Sequence, residues 1–261
     1  MIIMISFINE AATNRGWEIE KLLTTHPYLT KYSKGDIFFY SDGIVNIPIN
    51  SQSEIIANNK VITTTILENE NIPCIPTKEI NVANKDSLYE DFQHFSFNNS
   101  NTVVIKPING QKSEGVYSFN RFEELLKEIN KLPKGRPYCI STYYPHKYEI
   151  RLILFKKEVQ FYYMKPNNEQ NILRPLVTKE ISIEKDKIEH LMCISRKAAS
   201  VLGYDYVSID FLVGEENEKI IEVNLKPNLY AFIRQFPSNH KKCVTLYEKI
   251  FDYKEALLLT K

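Results

Sequence analysis

The sequence predicts an α+β protein built from mainly antiparallel sheets. Strand-like and helix-like segments follow one another without the regular strand–helix–strand alternation of a parallel sheet. Two apolar strands, Tyr206–Val213 and Lys219–Val223, are joined by Gly-Glu-Glu-Asn and therefore predict an antiparallel hairpin. The chain has 261 residues, 43% of them hydrophobic, so it can bury a substantial core.

Hydrophobic periodicity and turn residues predict the other elements. Helices are expected at 11–24, 53–69, 86–95, 120–129, 185–202 and 243–251. Strands are expected at 36–40, 43–49, 102–106, 115–118, 138–143, 148–155 and 158–164. A Ser-Asp-Gly turn separates the first two strands, and Asn120 with Glu123 has the spacing of a capping box. Gly203 is expected to end the helix that precedes it.

The balance of charge excludes several classes of function. Lys and Arg number 33 against 32 Asp and Glu, so nothing favours a nucleic-acid or membrane partner. The 4 cysteines lack the spacing of a zinc site or a disulfide framework. The amino terminus lacks the features of a signal peptide, and no apolar stretch approaches the roughly 18 residues of a membrane span. We therefore expect a cytoplasmic protein.

A lysine and two glycines mark the segment 103–116, VVIKPINGQKSEGV. Lys106 closes an apolar strand, and Gly110 and Gly115 are two of only 8 glycines in the chain. Such a loop can lay backbone N–H groups over phosphates while the lysine supplies positive charge. Short glycine patterns are common, so an ordinary hairpin loop with a solvated lysine is the more frequent interpretation of this segment taken by itself.

Acidic residues interrupt the two apolar strands of the predicted hairpin. If the strands pair, Asp210, Glu222 and Asn224 share one face and converge. Two carboxylates and an amide oxygen are hard ligands that suit Mg²⁺. The alternative is that they are half-exposed residues on the open face of a sheet. We favour a functional role because an apolar strand rarely tolerates unpaired carboxylates.

Two arginines are further candidates. Arg151 shares a strand face with Glu149 by period-2 spacing, which also fits a simple ion pair. Arg174 lies in a polar stretch, where a single arginine is more often a surface residue. Neither pattern indicates a function by itself.

Five motifs in order resemble the ATP-grasp superfamily of carboxylate–amine ligases. The likeness is nearest to the ribosomal-protein glutamyl ligase, cyanophycin synthetase and glutathione synthetase types, and it covers Ser51 to Phe251. The motifs are Asn59-Lys60 with Asn71–Pro76, the phosphate loop Lys106–Val116, the adenine hinge Thr142–Arg151, the stretch Met164–Arg174, and the metal strands Ser208–Phe211 and Glu222–Pro227.

The resemblance implies a role for each matching residue. ATP would be bound by Lys60 and Lys106, by Gly110, Ser113, Gly115 and Val116 of the loop, by Tyr143 and Tyr144 at the adenine hinge, and by Glu149 at the ribose. Asp210, Glu222 and Asn224 would hold one or two Mg²⁺ ions, with Mn²⁺ as an alternative. The catalytic residues would be Arg151 and Arg174.

The chain departs from the family pattern at three positions. Ser113 stands where the loop usually has glycine, and Thr142 stands where the hinge usually has glutamate. Pro175 follows Arg174 where the ribosomal-protein ligases usually have serine. These departures affect the expected substrate more than the expected use of ATP, because the phosphate and metal positions are all present.

The resemblance further implies the ATP-grasp fold, in which two α+β subdomains grip ATP. A short amino-terminal region at 1–52, a small subdomain at 53–145 and a large subdomain at 146–261 would form the chain. The enzyme would join a carboxylate to the amine of an amino acid, a peptide or a protein tail, and it could be a homo-oligomer. The alternatives are a small-molecule kinase on the same scaffold and a non-catalytic ATP-binding regulator.

Overall fold

The computed structural model describes most of the chain. The described residues are 2–24, 29–42, 47–50, 52, 54–97, 101–109, 115–133, 135–165, 183–215, 217–227, 229, 232–233 and 238–260. Their helices and strands form three antiparallel sheets. The predicted α+β class is confirmed.

The first sheet lies in the amino-terminal region and has the strand order β1-β2-β3. Its elements are α1 (Ile2–Asn14), β1 (Glu18–Leu23), β2 (Leu29–Lys34) and β3 (Ile37–Asp42). The predicted helix at 11–24 is wrong beyond Asn14, because Gly16 takes a φ of 73° and the next residues pair with β2. The Ser-Asp-Gly turn predicted after the strand at 36–40 is wrong at its first two residues, because Ser41 and Asp42 belong to β3, and Gly43 lies outside the described residues. Of the predicted strand at 43–49, residues 47–49 are not extended into a sheet and the rest lies outside the described residues.

The second sheet has the order β4-β7-β5-β6. This part of the chain forms, in order, α2 (Glu54–Asn58), α3 (Lys60–Asn69), β4 (Thr77–Ile80), α4 (Lys85–Ser96), β5 (Val103–Pro107), β6 (Tyr117–Phe119), α5 (Phe122–Ile129) and β7 (Tyr138–Thr142). The single helix predicted at 53–69 is wrong, because Asn59 is extended and caps α3 by accepting from the N–H groups of Val61 and Ile62. The predicted capping box is also wrong, since Arg121 is the N-cap of α5 and Asn120 accepts from Thr102.

The third sheet has the order β11-β10-β8-β9. Its elements are β8 (Tyr148–Phe155), β9 (Glu158–Lys165), α6 (Lys185–Leu202), β10 (Tyr206–Val213) and β11 (Glu218–Asn224), followed by α7 (Asn239–Leu259). Every residue of β10 is buried, and β10 is one of the two inner strands of this sheet. Gly203 ends α6 in the left-handed conformation with a φ of 70°, as the sequence predicts.

Two cores cross the predicted boundaries between the three regions. Helix α7 packs on α1 and the first sheet around Phe7, Trp17 and Phe251. Helices α2 and α3 pack on the third sheet, and Ile75 donates its N–H to the carbonyl of Ile220 on β11 at 3.0 Å. Helix α2 contacts β11, and Lys60 at the start of α3 lies near Glu222 on the same strand. Among the described residues, no helix is both long and apolar enough to cross a membrane.

Candidate active site

A row of polar side chains crosses the third sheet from strand to strand. Asp210 on β10 lies directly opposite Arg151 on β8 and opposite Glu222 on β11, and Arg151 lies opposite Tyr163 on β9. Directly opposite residues of an antiparallel pair project to the same face. A register shift in the β10–β11 pairing follows Asp210 and leaves Glu222 beside an irregular point of β11. The sheet therefore brings Arg151, Asp210 and Glu222 together.

Asp210 is the centre of a buried ion network. Its side chain is fully buried. Arg151 donates to both of its oxygens, from Nε to Oδ1 at 2.5 Å and from Nη2 to Oδ2 at 2.6 Å. Lys165 Nζ donates to Oδ2 at 2.6 Å. Burial would raise the pKa of Asp210, but the charges of Arg151 and Lys165 outweigh it and lower the pKa to about 2. Asp210 is therefore ionised throughout the physiological pH range.

Lys165 also joins Glu149 to this network. The two residues are opposite on β8 and β9, and Lys165 Nζ donates to Glu149 Oε1. Burial raises the pKa of Glu149, and the nearby Lys165 only partly offsets it. Sequence reasoning missed Lys165. The register of β9 places Lys165 opposite Glu149, whereas the strand predicted from the sequence, 158–164, ends one residue before it.

Glu222 and Asn224 line a cleft of about 330 Å³ at the start of α3. Lys60, the first residue of α3, places Nζ 3.8 Å from Glu222 Oε1 and 3.4 Å from the carbonyl oxygen of Ile108. The Nδ2 atom of Asn224 is buried, and among the described residues it has no hydrogen-bond partner. The cleft therefore combines acidic, amide and basic groups.

Lys106 lies at the end of β5, opposite Cys139 on β7, and only 7% of it is exposed. Burial lowers the pKa of Lys106, with smaller effects from Cys139, Lys60 and Glu222. Lys60 and Glu222 are thus close enough to act on its charge. Of the two lysines predicted to bind phosphate, Lys60 lines the cleft and Lys106 is buried in β5.

The phosphate loop is described only at its ends. Gly115 takes a φ of 71°, and a Cβ there would lie 3.2 Å from Cγ of Pro107, so glycine permits the close return of the chain. Val116 follows it and leads into β6. The predicted site residues Gly110, Ser113 and Arg174 lie outside the described residues.

The segment from Tyr143 to Lys147 connects the second and third sheets. Tyr143 is 38% exposed, and Tyr144 donates its hydroxyl to the carbonyl of Asn217 at 2.8 Å. The hydroxyl of Thr142 donates to the carbonyl of Phe95 at 2.9 Å, so this residue is engaged with the end of α4. Tyr143 and Tyr144 lie at the junction of the two sheets.

The donor chemistry of this site fits a hard divalent cation. Asp210 and Glu222 face each other on neighbouring strands, Asn224 adds an amide, and oxygen donors are those Mg²⁺ prefers. In the part of the chain that the structure describes, no three His, Cys, Asp or Glu side chains form a metal-binding group by themselves. A cation here would therefore need Asn224 and oxygen ligands from outside the protein.

Solved structures with the same fold were found by structural comparison. The D-alanine–D-alanine ligase of Bacillus anthracis superposes with a TM-score of 0.61 at 18% identity, covering 78% of this chain and 68% of that one. The ATP-grasp ligase PsnB, complexed with a precursor variant, Mg and ADP, has a TM-score of 0.57 at 14% identity, covering 76% and 59%. The chain has the ATP-grasp fold.

A third ATP-grasp structure, the carboxyaminoimidazole ribonucleotide synthase of Aspergillus clavatus complexed with ATP, has a TM-score of 0.57 at 15% identity and covers 70% of this chain and 48% of that one. No family model and no curated protein sequence matches the chain. The chain spans from about half to about two thirds of the length of these ATP-grasp structures. The sequence resemblance is confirmed at the level of the fold.

Proposed function

We propose that this protein is an ATP- and Mg²⁺-dependent ligase that joins a carboxylate to an amine and releases ADP and phosphate. The observation that carries the proposal is the meeting of Arg151, Asp210 and Glu222 on one sheet with Lys60 beside Glu222. Phosphoryl transfer needs mainly positioning and neutralisation of charge, and this site supplies both. The ATP-grasp fold of known ligases supports the same reaction class.

The chain's own residues would hold ATP from both sheets. Lys60 and Lys106 would contact its phosphates, while the loop residues Gly110, Ser113, Gly115 and Val116 would close over them. Tyr143 and Tyr144 would border the adenine, and Glu149 would accept from the ribose hydroxyls. Asp210, Glu222 and Asn224 would hold Mg²⁺ or Mn²⁺, which supplies charge neutralisation at the phosphate oxygens.

The reaction would proceed in two steps. A carboxylate oxygen of the substrate attacks the γ-phosphorus, the bond from that phosphorus to the bridging oxygen breaks, and ADP leaves. The amine nitrogen then attacks the acyl carbon, phosphate leaves, and the nitrogen loses a proton to form the amide. Arg151 and Arg174 would neutralise the charge that develops on the transferring group.

The substrates are proposed only by class. The acceptor amine would belong to an amino acid, a peptide or a protein tail, in a cytoplasmic setting and with the region 1–52 taking part in substrate binding. The regions 53–145 and 146–261 would be the small and large ATP-grasp subdomains.

The test is a screen for ADP and phosphate release with paired carboxylates and amines, followed by mass measurement of the product. We expect equal amounts of ADP and phosphate and a product lighter by one water than its two substrates combined. Glu222→Gln serves as the inactive control. ADP release without phosphate would indicate a kinase, and thermal stabilisation by ATP without any turnover would indicate a regulator.

A further inference from the structure

Lys165 connects two carboxylates to which the proposed function gives different tasks. Its ammonium donates to Glu149, the proposed ribose ligand, and to Asp210, the proposed metal ligand, the latter at 2.6 Å. Arg151 already holds both oxygens of Asp210, so Lys165 is a second cation on one buried carboxylate. Only 24% of the Lys165 side chain is exposed, which limits the screening of its charge by water.

This arrangement sets Lys165 in competition with both expected ligands. A divalent cation at Asp210 is repelled by the Lys165 ammonium, and ribose hydroxyls compete with the same ammonium for Glu149. When one ligand displaces Lys165 from its carboxylate, the hold of Lys165 on the other carboxylate also weakens, because one ammonium spans both. The two ligands are therefore linked through one side chain.

We propose that Lys165 is a positioning residue that couples nucleoside binding to metal binding by bridging Glu149 and Asp210. The inference rests on the proposed function, since it uses the ribose and metal roles of the two carboxylates. Its consequence is positive coupling, in which bound metal raises the affinity for nucleoside and bound nucleoside raises the affinity for metal by the same factor.

The experiment measures binding by the purified full chain without turnover. Mn²⁺ affinity is followed by loss of the electron paramagnetic resonance signal of the free ion, and adenosine affinity by calorimetry. Adenosine has no phosphate, so a lysine that only attracts phosphates would not alter its binding. For Lys165→Met we expect binding of Mn²⁺ and of adenosine to tighten by about tenfold or more each, and their mutual coupling to fall to about onefold.

Two variants control for charge and for general loss of a buried ion pair. Lys165→Arg keeps the charge and is expected to keep the wild-type coupling. Lys187→Met removes a lysine of equal exposure, 24%, that pairs with buried Glu218 at the far end of β11, and it should leave both affinities unchanged. If Lys165→Met does not fold, Glu149→Gln tests the same bridge, because it removes one of the two anchors of the lysine, as a bound ribose would, and Mn²⁺ binding at Asp210 should tighten.

Unchanged or weaker binding of Mn²⁺ and adenosine by folded Lys165→Met would overturn the coupling role while leaving the ligase proposal intact. Wild-type protein that binds neither Mn²⁺ nor adenosine, and shows no ATP-dependent product, would overturn both. Tightening in Lys165→Met but not in Lys165→Arg or Lys187→Met supports the inference.

Discussion

The two sheets beside the cleft treat buried charge in different ways. On the third sheet, Asp210 is fully buried but is held by both Arg151 and Lys165. On the second sheet, Lys106 is nearly as buried, yet among the described residues no carboxylate forms an ion pair with it. Ion pairs thus keep Asp210 of the third sheet charged, whereas burial lowers the pKa of Lys106 on the second sheet.

The charged groups of the third sheet are already paired without a ligand, whereas Lys106 of the second sheet would gain its partner from a bound ligand. A paired network is stable without a ligand, but it is costly to break because each removed charge leaves its partners buried. A lone buried lysine costs stability, and a bound phosphate would supply its missing partner. Variants at Asp210, Lys106 and Tyr144, each with matched controls, break or sharpen this contrast.

The largest effect is expected at the centre of the paired network. Asp210→Asn leaves Arg151 and Lys165 without a counter-charge and should lower the free energy of unfolding by about 3 kcal/mol. Glu222→Gln, on the neighbouring strand with 28% of its side chain exposed, should change it by less than about 1 kcal/mol. Both should abolish ADP release. Denaturant unfolding and the ADP assay measure the two effects separately.

The acid dependence of stability gives this prediction a second measurement. Because folding lowers the pKa of Asp210, its contribution is complete above the unfolded pKa of about 3.9 and is lost as pH falls toward about 2. The loss of stability that Asp210 causes as pH falls through this range should be absent in Asp210→Asn and present in Glu222→Gln. Equal stability of the two variants would show that the network does not hold the third sheet together.

Lys106 should give the next largest effect. Lys106→Met is expected to weaken ATP binding by about 10- to 100-fold, the range for a lost hydrogen bond to a charged group. Because burial lowers the pKa of Lys106, wild-type affinity should be full below that pKa and fall as pH rises through it, before an exposed lysine would lose its proton. ATP titrations by calorimetry across this pH range measure both.

Lys106→Arg is the matched control, since a guanidinium stays protonated and should remove the pH dependence. Lys127→Met, an exposed lysine on α5, should have no effect on ATP binding. If Lys106→Met binds ATP as tightly as wild type, the lysine serves only to pack against Cys139, and the contrast between the sheets has no role in binding.

Sequence reasoning succeeded where the deciding pattern is local. The alternation in Tyr206–Val213 and the hairpin turn after it place Asp210 opposite Glu222, as the register confirms. It failed where distant segments decide. Lys165 is recognisable only from the pairing of β9 with β8. The break at Asn59 has a local cause, a side-chain cap that interrupts an otherwise continuous helical pattern, and the pattern of apolar residues does not reveal it. The region at 18–23 became a strand because β2 was available to pair with it.

The smallest effect concerns the link between the two sheets. Tyr144 donates its hydroxyl to Asn217 at the turn of the β10–β11 hairpin, and Lys147 donates its N–H to Val213 at 2.8 Å. A Cβ at Gly214 would lie 3.1 Å from the Tyr144 hydroxyl, so glycine allows this close contact. Tyr144→Phe should cost about 0.5–1 kcal/mol of stability, as one neutral hydrogen bond does.

The same variant tests whether this contact orders the hinge. Amide hydrogen exchange at Tyr144–Lys147 should become faster in Tyr144→Phe while the strands on either side keep their protection, because only the hinge loses an anchor. Tyr162→Phe, which removes an exposed hydroxyl from β9, should leave the hinge amides unchanged. If exchange at the hinge does not change in Tyr144→Phe, the Lys147–Val213 bond is sufficient to order the hinge.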